Sequence, residues 1–371
     1  MRRLTVVQLV PRLDAGGAER ATLEIGAALV RAGHRSVVVS GGGRLVERLV
    51  DAGSEHVELD IGRKSLATLL QVFALRRLFR MITPDIVHAR SRLPAWVGWW
   101  AQQGLPRRPH FVTTVHGRNS PGRYSAIMTR GERVICVSPS VRDYVREHYP
   151  LVPEARIQVI PRGVDAAAFP FGHVPDPAWR EAFARDFPAF VGLPLVVLPA
   201  RGTRLKGHRD ALDAIAALER RHGMRAALLL AGARETGREH YVAELERHAA
   251  SLGIAARVAI VPPRDDVRDL YASAVCVLQL STQAETFGRT VVEALSLGVP
   301  VVGYAHGGVG ELLAELHPAG AVPVGDVDAV AACIAALIAA RPTMTPLASY
   351  RLDEMQRRTL AVYESLALER R

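Results

Sequence analysis

The sequence predicts an α/β protein made of two doubly wound, Rossmann-like domains, each with a mainly parallel sheet. Short apolar runs alternate with amphipathic stretches along its 371 residues, and this alternation stops and restarts once. Apolar runs of this kind between helical patterns are typical of buried parallel strands. The length also favours two domains, because a single core rarely grows beyond about 250 residues.

The elements divide into two sets. The first set of predicted strands comprises residues 5–10, 36–40, 86–89, 111–115, 133–137 and 157–160. The second set comprises residues 195–200, 226–231, 258–261, 275–280 and 299–304. Helical patterns lie between them, at residues 19–32, 66–81, 209–222, 238–252 and 290–297.

A proline-rich stretch at 165–193 separates the two sets and shows no strand pattern. We therefore predict a first domain at 1–170 and a second at 171–348. A helical pattern follows Pro342 and Pro346, and we expect residues 349–371 to pack back on the first domain. The apolar run 329–340 is too short to span a bilayer and is expected to be a packed helix.

The net charge of +10 is unevenly placed. Residues 1–165 contain 25 Lys and Arg against 14 Asp and Glu, whereas the remainder contains 22 against 23. The first half is therefore expected to meet an anionic partner. No basic motif interleaved with aromatic residues indicates nucleic acid. An anionic membrane surface or a phosphorylated lipid acceptor fits better, and a merely solvated Arg-rich surface is the alternative.

Two segments of the first half are candidates for contact with a membrane surface. Trp96, Trp99 and Trp100 lie on one segment. Residues 66–81 form an amphipathic pattern that would present Arg76, Arg77 and Arg80 together, with its apolar face in the core. The apolar N-terminal stretch is interpreted as a strand, so we expect a cytoplasmic protein, peripheral on the cytoplasmic face of the inner membrane if the basic half docks there.

Two glycine-containing loops are candidate phosphate sites. Gly16 and Gly17 follow the first strand and open a helix, where a sharp bend would aim backbone N–H groups at an anion. Residues 201–207 follow strand 195–200 and contain Arg201 and Lys206. Arginine offers two parallel donors to phosphate oxygens, and lysine offers a mobile point charge. Lysine is rare here, since every basic residue except Lys64 and Lys206 is arginine.

Glu285 and Glu293 form the strongest motif. Glu285 is expected on a loop, and Glu293 inside the following helix, about two turns beyond Glu285. A loop carboxylate can bind sugar hydroxyls while a helical one binds a ribose diol. The alternative is that one or both are surface carboxylates at a helix start, where glutamate is favoured. No CxxC pair is present and no Asp-x-Asp motif lies next to the end of a predicted strand, so no metal site is predicted.

Taken together and in order, these motifs resemble retaining glycosyltransferase family 4. Residues 161–165 (PRGVD), 84–89 (PDIVHA), 114–117 (TVHG) and 307–311 (GGVGE) strengthen the resemblance, which covers essentially the whole chain. It implies the GT-B fold, with two Rossmann-like domains facing a cleft. Two positions depart from the family pattern: residues 279–282 read QLST where a Pro-Ser pair is usual, and Arg162 replaces a frequent asparagine.

The resemblance also implies roles for the candidate residues. Arg201 and Lys206 would hold the donor diphosphate, Glu293 the ribose and Glu285 the donor sugar. The backbone of Thr286, Phe287 and Gly288 would line the sugar pocket, and His116 would lie beside the reacting sugar. Gly16 and Gly17 would contact the donor phosphates across the cleft, and Arg264 would contact the base.

The implied activity is transfer of a sugar, a hexose by expectation, from a nucleotide-diphosphate donor with retention at the anomeric carbon. A UDP-sugar is the expected donor substrate, no cofactor or metal is implied, and the acceptor would be a glycan or lipid-linked sugar of bacterial envelope polysaccharide or lipopolysaccharide. Alternatives are a nucleotide-sugar epimerase of the same fold and a non-catalytic nucleotide-sugar-binding scaffold. A glycosyl phosphorylase would need a Schiff-base lysine, and Lys64 and Lys206 alone are available.

Overall fold

The computed structural model describes residues 2–14, 16–65 and 67–369. Over these ranges the chain forms thirteen strands. Seven belong to the first sheet: β1 (Thr5–Leu9), β2 (Arg35–Ser40), β3 (Glu55–Glu58), β4 (Ile86–Ala89), β5 (His110–Val115), β6 (Arg133–Cys136) and β7 (Ile157–Val159). Six belong to the second: β8 (Leu195–Pro199), β9 (Ala227–Ala231), β10 (Val258–Val261), β11 (Cys276–Gln279), β12 (Val301–Tyr304) and β13 (Ala321–Val322).

The α-helices lie between the strands. Those of the first half are α1 (Gly17–Arg31), α2 (Val46–Asp51), α3 (Ala67–Ile82), α4 (Arg92–Gln102) and α5 (Pro139–His148). The second half contains α6 (Pro177–Asp186), α7 (His208–His222), α8 (Glu239–Ser251), α9 (Val267–Ser273), α10 (Arg289–Ser296), α11 (Gly307–Leu316) and α12 (Val327–Ala339). The C-terminal helix is α13 (Leu352–Glu369).

Both sheets are parallel and doubly wound. Their strand orders are β3-β2-β1-β4-β5-β6-β7 and β10-β9-β8-β11-β12-β13. Each order reverses beside the first strand of its sheet, between β1 and β4 and between β8 and β11. Ligands of open α/β sheets bind at the carboxyl ends of the strands beside such a point. The predicted fold class is therefore confirmed. Its expected ligand sites are the loops that follow β1, β4, β8 and β11.

The sequence patterns missed two edge strands. Residues 55–58 read EHVE and are half-exposed or exposed, so they lack the apolar run of a buried strand. They pair with β2 on one side alone. The other missed strand, β13, is two residues long. Edge strands are covered on fewer sides, and their composition carries a weaker signal.

The chain divides into two compact units. Residues up to Arg162 and those from Asp353 onward form the first unit, and Gly163–Leu352 form the second. The predicted boundary lay farther along, between 170 and 171. Val164 already belongs to the second unit, because its N–H donates to the Tyr350 carbonyl at 2.8 Å and its carbonyl accepts from Leu352 N at 2.9 Å.

The predicted linker also contains a helix, α6. Pro177 occupies its first turn, and the Asp176 carboxylate accepts a hydrogen bond from Ala178 N at 2.8 Å. An aspartate cap followed by proline is a recognised helix start. This signal was present in the sequence but was obscured by the other prolines nearby.

The C-terminal helix α13 packs within the first unit, as predicted. Gln356 Nε2 donates to the Glu24 carbonyl, and Arg31 Nη2 donates to Gln356 Oε1, each at 2.8 Å. Deeper in the core, the Tyr363 hydroxyl lies 2.6 Å from His88 Nδ1. These contacts join residues more than 270 positions apart in the sequence to a single core.

Helix α3 differs from its prediction. One face is buried in the core, as expected, through Thr68, Val72, Leu75, Leu78 and Phe79. A second group of apolar side chains is exposed, comprising Leu69, Leu70, Phe73 and Met81. Two of the three arginines of this helix also contact backbone carbonyls: Arg76 donates to those of Trp100 and Ala101 at 2.9 and 3.1 Å, and Arg80 donates to that of Gly104 at 3.4 Å.

None of the helices in the described ranges is long and apolar enough to cross a membrane.

We expect Tyr363→Phe to lower the free energy of unfolding by about 1–3 kcal/mol, because buried His88 Nδ1 loses its hydrogen-bond partner. Differential scanning calorimetry measures the loss. The matched control is Tyr350→Phe, which removes a hydroxyl that donates to exposed Glu315 at 2.5 Å and that water can replace. Equal melting temperatures for the two variants would contradict the importance of the buried contact.

Candidate functional site

The loop after β8 is shaped by two glycines. A side chain at Gly202 would place its Cβ 2.2 Å from the Ala233 carbonyl oxygen. Gly207 has φ +72°, in the left-handed region, and its Cβ would lie 2.0 Å from the Leu280 carbonyl oxygen. Both contacts are with backbone atoms, which cannot move aside. The loop is therefore held against the residue that follows β11, and Lys206 immediately precedes this contact.

Lys206 and Glu285 form an ion pair. Lys206 Nζ lies 2.6 Å from Glu285 Oε1, and both side chains are about one quarter exposed, at 27% and 21%. The Ser281 hydroxyl donates to the same carboxylate oxygen at 2.5 Å. Within the described part of the chain, Glu285 Oε2 has no hydrogen-bond partner. The pair thus presents two N–H donors and one carboxylate oxygen from a fixed position.

Ser281 is itself held by the β11 end and the following helix. Its single hydroxyl hydrogen is shared between Glu285 Oε1 and Gln279 Oε1, which lies 3.0 Å away, and Gln279 Nε2 donates to Thr290 Oγ1 at 3.0 Å. His306 Nε2 lies 2.7 Å from the Ser281 carbonyl oxygen. Gln279 and Ser281 are buried, so these hydrogen bonds form in a low-dielectric setting where they are strong.

Glu293 lies within α10, about one turn after the helix begins at Arg289. It is 5% exposed, and Arg289 Nε donates to its Oε1 at 3.2 Å from one turn earlier. A buried carboxylate requires such pairing, because an unpaired charge is costly to bury. Glu293 is therefore a partner of Arg289 and not a solvated carboxylate at a helix start.

The backbone from Thr286 to Gly288 packs against the start of α11. The Glu285 backbone carbonyl accepts a hydrogen bond from Gly308 N at 2.7 Å, and a Cβ on Gly308 would lie 2.5 Å from Phe287 Cα. Gly288, with φ +98°, caps α10. The N-termini of α10 and α11 therefore flank this segment, and both favour negative charge.

Two further candidates of the second unit lie on other loops. Arg201 is exposed on the β8 loop. Arg264 follows β10 and makes a bidentate ion pair with Asp266 at 2.8 and 2.6 Å. Hydrogen bonding to Asp266 raises the pKa of Arg264. Trp179 Nε1 also donates to Asp266, at 2.7 Å.

In the first unit, Gly16 caps α1 and Gly17 begins it. Gly16 has φ −160°, an extended conformation open to any residue, so a sharp bend is not the reason for the glycine pair. Neither position requires glycine for space, because the Glu19 carboxylate beside Gly16 is the far end of a flexible side chain. A Cβ at Gly16 would meet the Glu19 carboxylate at 2.2 Å, whereas one at Gly17 would meet no described atom within 4 Å. The start of α1 is thus open to close approach.

His116 follows β5, and its Nδ1 accepts a hydrogen bond from Arg162 Nη2. Burial lowers the pKa of His116 well below the ordinary value of 6.5, and the positive charges of Arg162 and Arg90 lower it further. The imidazole is consequently neutral at pH 7, with its proton on Nε2 because Nδ1 is an acceptor.

The surroundings of His116 are polar and buried. His88 is fully buried between the hydroxyls of Thr114, at 2.7 Å from Nε2, and Tyr363. Arg90 is 4% exposed and donates twice to Gln8 Oε1, at 2.9 and 2.6 Å. A small cavity is lined by His88, Arg90, Thr114 and Arg162, among others, at the carboxyl ends of β4 and β5.

The geometry thus brings Lys206 and Glu285 into contact and places Glu293, Thr286, Phe287 and Gly288 on the adjoining segment. The motifs did not identify Ser281, Arg289 or Arg162 as site residues. Ser281 and Arg162 lie at the two positions that depart from the family pattern, and these departures were the sequence feature that could have identified them. Arg289 stands four residues before Glu293, the spacing of a helical ion pair.

In the described ranges, no group of three or more His, Cys, Asp or Glu side chains is arranged to hold a metal ion.

Two family models match the chain in sequence. One, described as Glycosyltransferase Family 4, matches residues 15–168, and the other, Glycosyl transferases group 1, matches residues 180–351. The first match covers β2 to β7 of the first sheet, and the second covers all six strands of the second sheet. The chain belongs to glycosyltransferase family 4.

A solved glycosyltransferase from Rickettsia africae is similar over 99% of each chain, with TM-score 0.84 and 25% identity. Anabaena HepE in complex with UDP and glucose has TM-score 0.81 and 21% identity, over 98% of this chain and 100% of HepE. These similarities confirm the GT-B fold.

Among curated relatives, D-inositol 3-phosphate glycosyltransferase of Nocardiopsis dassonvillei is 32% identical over 198 residues. That alignment covers 51% of this chain and 43% of the relative, so the similarity spans less than half of the relative's length.

Falling pH should destabilise the protein, because burial first and nearby arginines second hold the pKa values of His88 and His116 well below 6.5 in the folded state. Below about pH 6.5 the unfolded chain takes up protons that these histidines refuse in the folded state. We expect the free energy of unfolding to fall by up to about 1.4 kcal/mol per pH unit for each histidine. Calorimetric melting over a pH series measures the slope.

His116→Asn retains an acceptor for Arg162 but cannot titrate, so the slope should become shallower. The control is His222→Asn, which makes the same substitution at an exposed position at the end of α7. An unaltered slope in His116→Asn would show that His116 is not responsible.

Proposed function

We propose that the protein is a retaining glycosyltransferase that moves a hexosyl group from a nucleotide diphosphate to an acceptor hydroxyl. The donor is a UDP-sugar, and the acceptor is a glycan or lipid-linked sugar of the bacterial envelope, as in lipopolysaccharide synthesis. No metal or cofactor takes part, because side-chain cations and helix N-termini supply the positive charge.

The contact between Lys206 and Glu285 carries this proposal. A cation for phosphate oxygens and a carboxylate for sugar hydroxyls lie 2.6 Å apart, between the ends of neighbouring strands β8 and β11. A nucleotide-diphosphate sugar has the same sequence of groups, a diphosphate joined directly to a polyhydroxylated ring. The Glu293 carboxylate, buried in α10, accepts a hydrogen bond from Arg289 and is suited to accept further hydrogen bonds from the ribose diol.

The chemical step needs stabilisation of negative charge. As the bond from the anomeric carbon to the phosphate oxygen breaks, charge develops on the leaving diphosphate and the sugar becomes oxocarbenium-like. Lys206, Arg201 and the N-terminus of α10 stabilise the diphosphate. The acceptor hydroxyl attacks from the face that the diphosphate leaves, and a phosphate oxygen accepts its proton. Configuration is thereby retained without a protein nucleophile.

Features of the relatives support the choice of substrates. HepE binds UDP and glucose, which favours a UDP-hexose. The Nocardiopsis relative acts on D-inositol 3-phosphate, a phosphorylated polyol. The first unit of this chain is rich in arginine around a neutral His116, and arginine is suited to binding a phosphorylated acceptor. A neutral imidazole is suited to hydrogen bonding with a hydroxyl.

The proposal as a whole is tested by a thermal-shift screen of nucleotide sugars, followed by transfer assays with the stabilising donor in the presence of a chelator. Ligand at 100 times its Kd stabilises by about 2.7 kcal/mol, which is readily detected. Product with retained anomeric configuration supports the proposal. Conversion of the donor to its epimer without acceptor would instead show an epimerase, and binding without turnover would show a scaffold.

Lys206→Ala should reduce kcat/KM by about 10²–10³-fold, because one strong contact with the leaving diphosphate is lost. The matched control is Lys64→Ala, which removes the chain's other lysine from an exposed position. Transfer to a water-soluble acceptor, measured by released nucleoside diphosphate, should be unchanged in the control. Wild-type turnover in Lys206→Ala would remove this lysine from the site.

The two carboxylates should separate in binding assays. Glu293→Gln should weaken binding of UDP by about 10- to 100-fold, since charge-assisted hydrogen bonds to the ribose are lost. Glu285→Gln should leave UDP affinity nearly unchanged and impair use of the UDP-sugar. Isothermal titration calorimetry with UDP and kinetics with the donor compare them.

Ser281→Ala serves as the matched control, because it removes one hydrogen bond to Glu285 Oε1 and leaves both glutamates in place. Its effect should resemble that of Glu285→Gln and be smaller. Equal losses of UDP affinity in the two glutamate variants would refute the assignment of Glu285 to the sugar.

A further inference from the structure

The outer face of α3 combines apolar and basic side chains in a segregated order. Leu69, Leu70 and Phe73 are 52%, 66% and 65% exposed near the start of the helix. Arg77 and Arg80 are exposed further along the same face, at helical spacings from Phe73. We refer to these five residues as the α3 patch. Large apolar side chains clustered on a surface in this way mark an interaction site.

The sequence around the α3 patch is almost free of negative charge. Residues 61–131 contain twelve Lys and Arg but one acidic residue, Asp85. Asp85 is buried, and it is occupied by Arg2 at 2.6 Å and Arg107 at 3.5 Å. Arg63 and Lys64, just before the helix, are exposed. This segment of the chain therefore carries a large excess of positive charge.

Hydrogen bonds fix α3 to the segment that follows it, and the longest of them comes from a patch residue, since Arg80 donates to the Gly104 carbonyl at 3.4 Å. Arg76 donates to the carbonyls of Trp100 and Ala101 at the end of α4, which ties α3 to its neighbour. Its guanidinium also lies 5.8 Å from the Phe73 ring centre. Trp100, on α4, is 41% exposed. The patch is thus a feature of a packed helix pair, presented on a fixed support.

We propose that the α3 patch inserts into the interface of an anionic phospholipid bilayer. Leu69, Leu70 and Phe73 enter the boundary of the acyl chains, while Arg77 and Arg80 bind lipid phosphates. An amphipathic helix that lies in the interface needs this combination of apolar area and basic charge. The proposal rests on the proposed function in one respect: the bilayer is the surface on which a lipid-linked acceptor is presented.

Charge favours a bilayer over a second copy of the chain as the occupant. In an antiparallel pairing of two α3 helices, the arginines of one would lie on the leucines of the other. In a parallel pairing, arginine would face arginine. Neither arrangement supplies a carboxylate, since residues 61–84 contain none, and burial of unpaired cations is costly. Anionic lipid satisfies both halves of the patch.

The test is co-sedimentation of the full chain with vesicles of phosphatidylcholine alone, or mixed with phosphatidylglycerol, at low and high salt. We expect binding to require phosphatidylglycerol and to weaken with salt. Leu70→Gln/Phe73→Gln should lower the partition coefficient by about tenfold or more, through lost apolar burial. Arg77→Gln/Arg80→Gln should lower it by about tenfold and reduce its salt dependence.

Matched controls separate the patch from general effects. Arg180→Gln/Arg185→Gln removes two exposed arginines from α6 of the second unit, and Leu151→Gln replaces an exposed leucine elsewhere in the first unit. Both should bind vesicles like the wild type. Melting temperatures and transfer to a water-soluble acceptor should be unchanged in every variant, so a failure of the proposed function would appear in a different assay.

Three results would overturn the proposal. The first is wild-type protein that does not bind phosphatidylglycerol vesicles. The second is wild-type binding by Leu70→Gln/Phe73→Gln. The third is a wild-type dimer, measured by light scattering, that this double variant converts to a monomer, because a second copy would then cover the patch.

Discussion

Parallel strands of one sheet end at the same edge, and this constraint brings the donor-side candidate residues together. Because β8 and β11 are neighbours, the loops that follow them are adjacent although they are about 80 positions apart in sequence. Gly207 then allows the first loop to touch the backbone of Leu280 in the second. The contact between Lys206 and Glu285 follows from these two facts, and α10 begins directly beyond it.

The Lys206 and Glu285 pair is preorganised by its surroundings. Ser281 and Lys206 both act on Glu285 Oε1, and Gln279 ties Ser281 to the start of α10. A charged pair that is partly exposed contributes little to stability by itself. Its value lies in geometry, because groups that are already oriented need not reorganise when charge develops on a ligand. The two family departures at 279–282 and 162 therefore lie where they affect orientation.

The electrostatics of the first unit differ from those around the Lys206 and Glu285 pair. Its carboxyl edge holds His88, His116, Arg90 and Arg162 close together with few acids nearby, and the histidines respond by remaining neutral. The Tyr363 hydroxyl is the hydrogen-bond partner of His88 Nδ1, and the Gln8 side-chain oxygen accepts from Arg90. Positive charge also prevails outside, around the α3 patch. The excess positive charge of residues 1–165 thus lies in two places, at the buried carboxyl edge of the first sheet and on the exposed face of α3.

The sequence by itself determined the fold class, most strands and the loops that hold the candidate residues, because apolar periodicity and glycine positions are local properties. It also identified the two glutamates and the two family departures. It could not show that Lys206 binds Glu285, that Arg162 binds His116 or that Arg76 holds α4, since these are contacts between distant segments. Nor could periodicity distinguish buried from exposed leucines on α3, where both faces are apolar. Only tertiary packing, which covers one face and leaves the other in solvent, decided that.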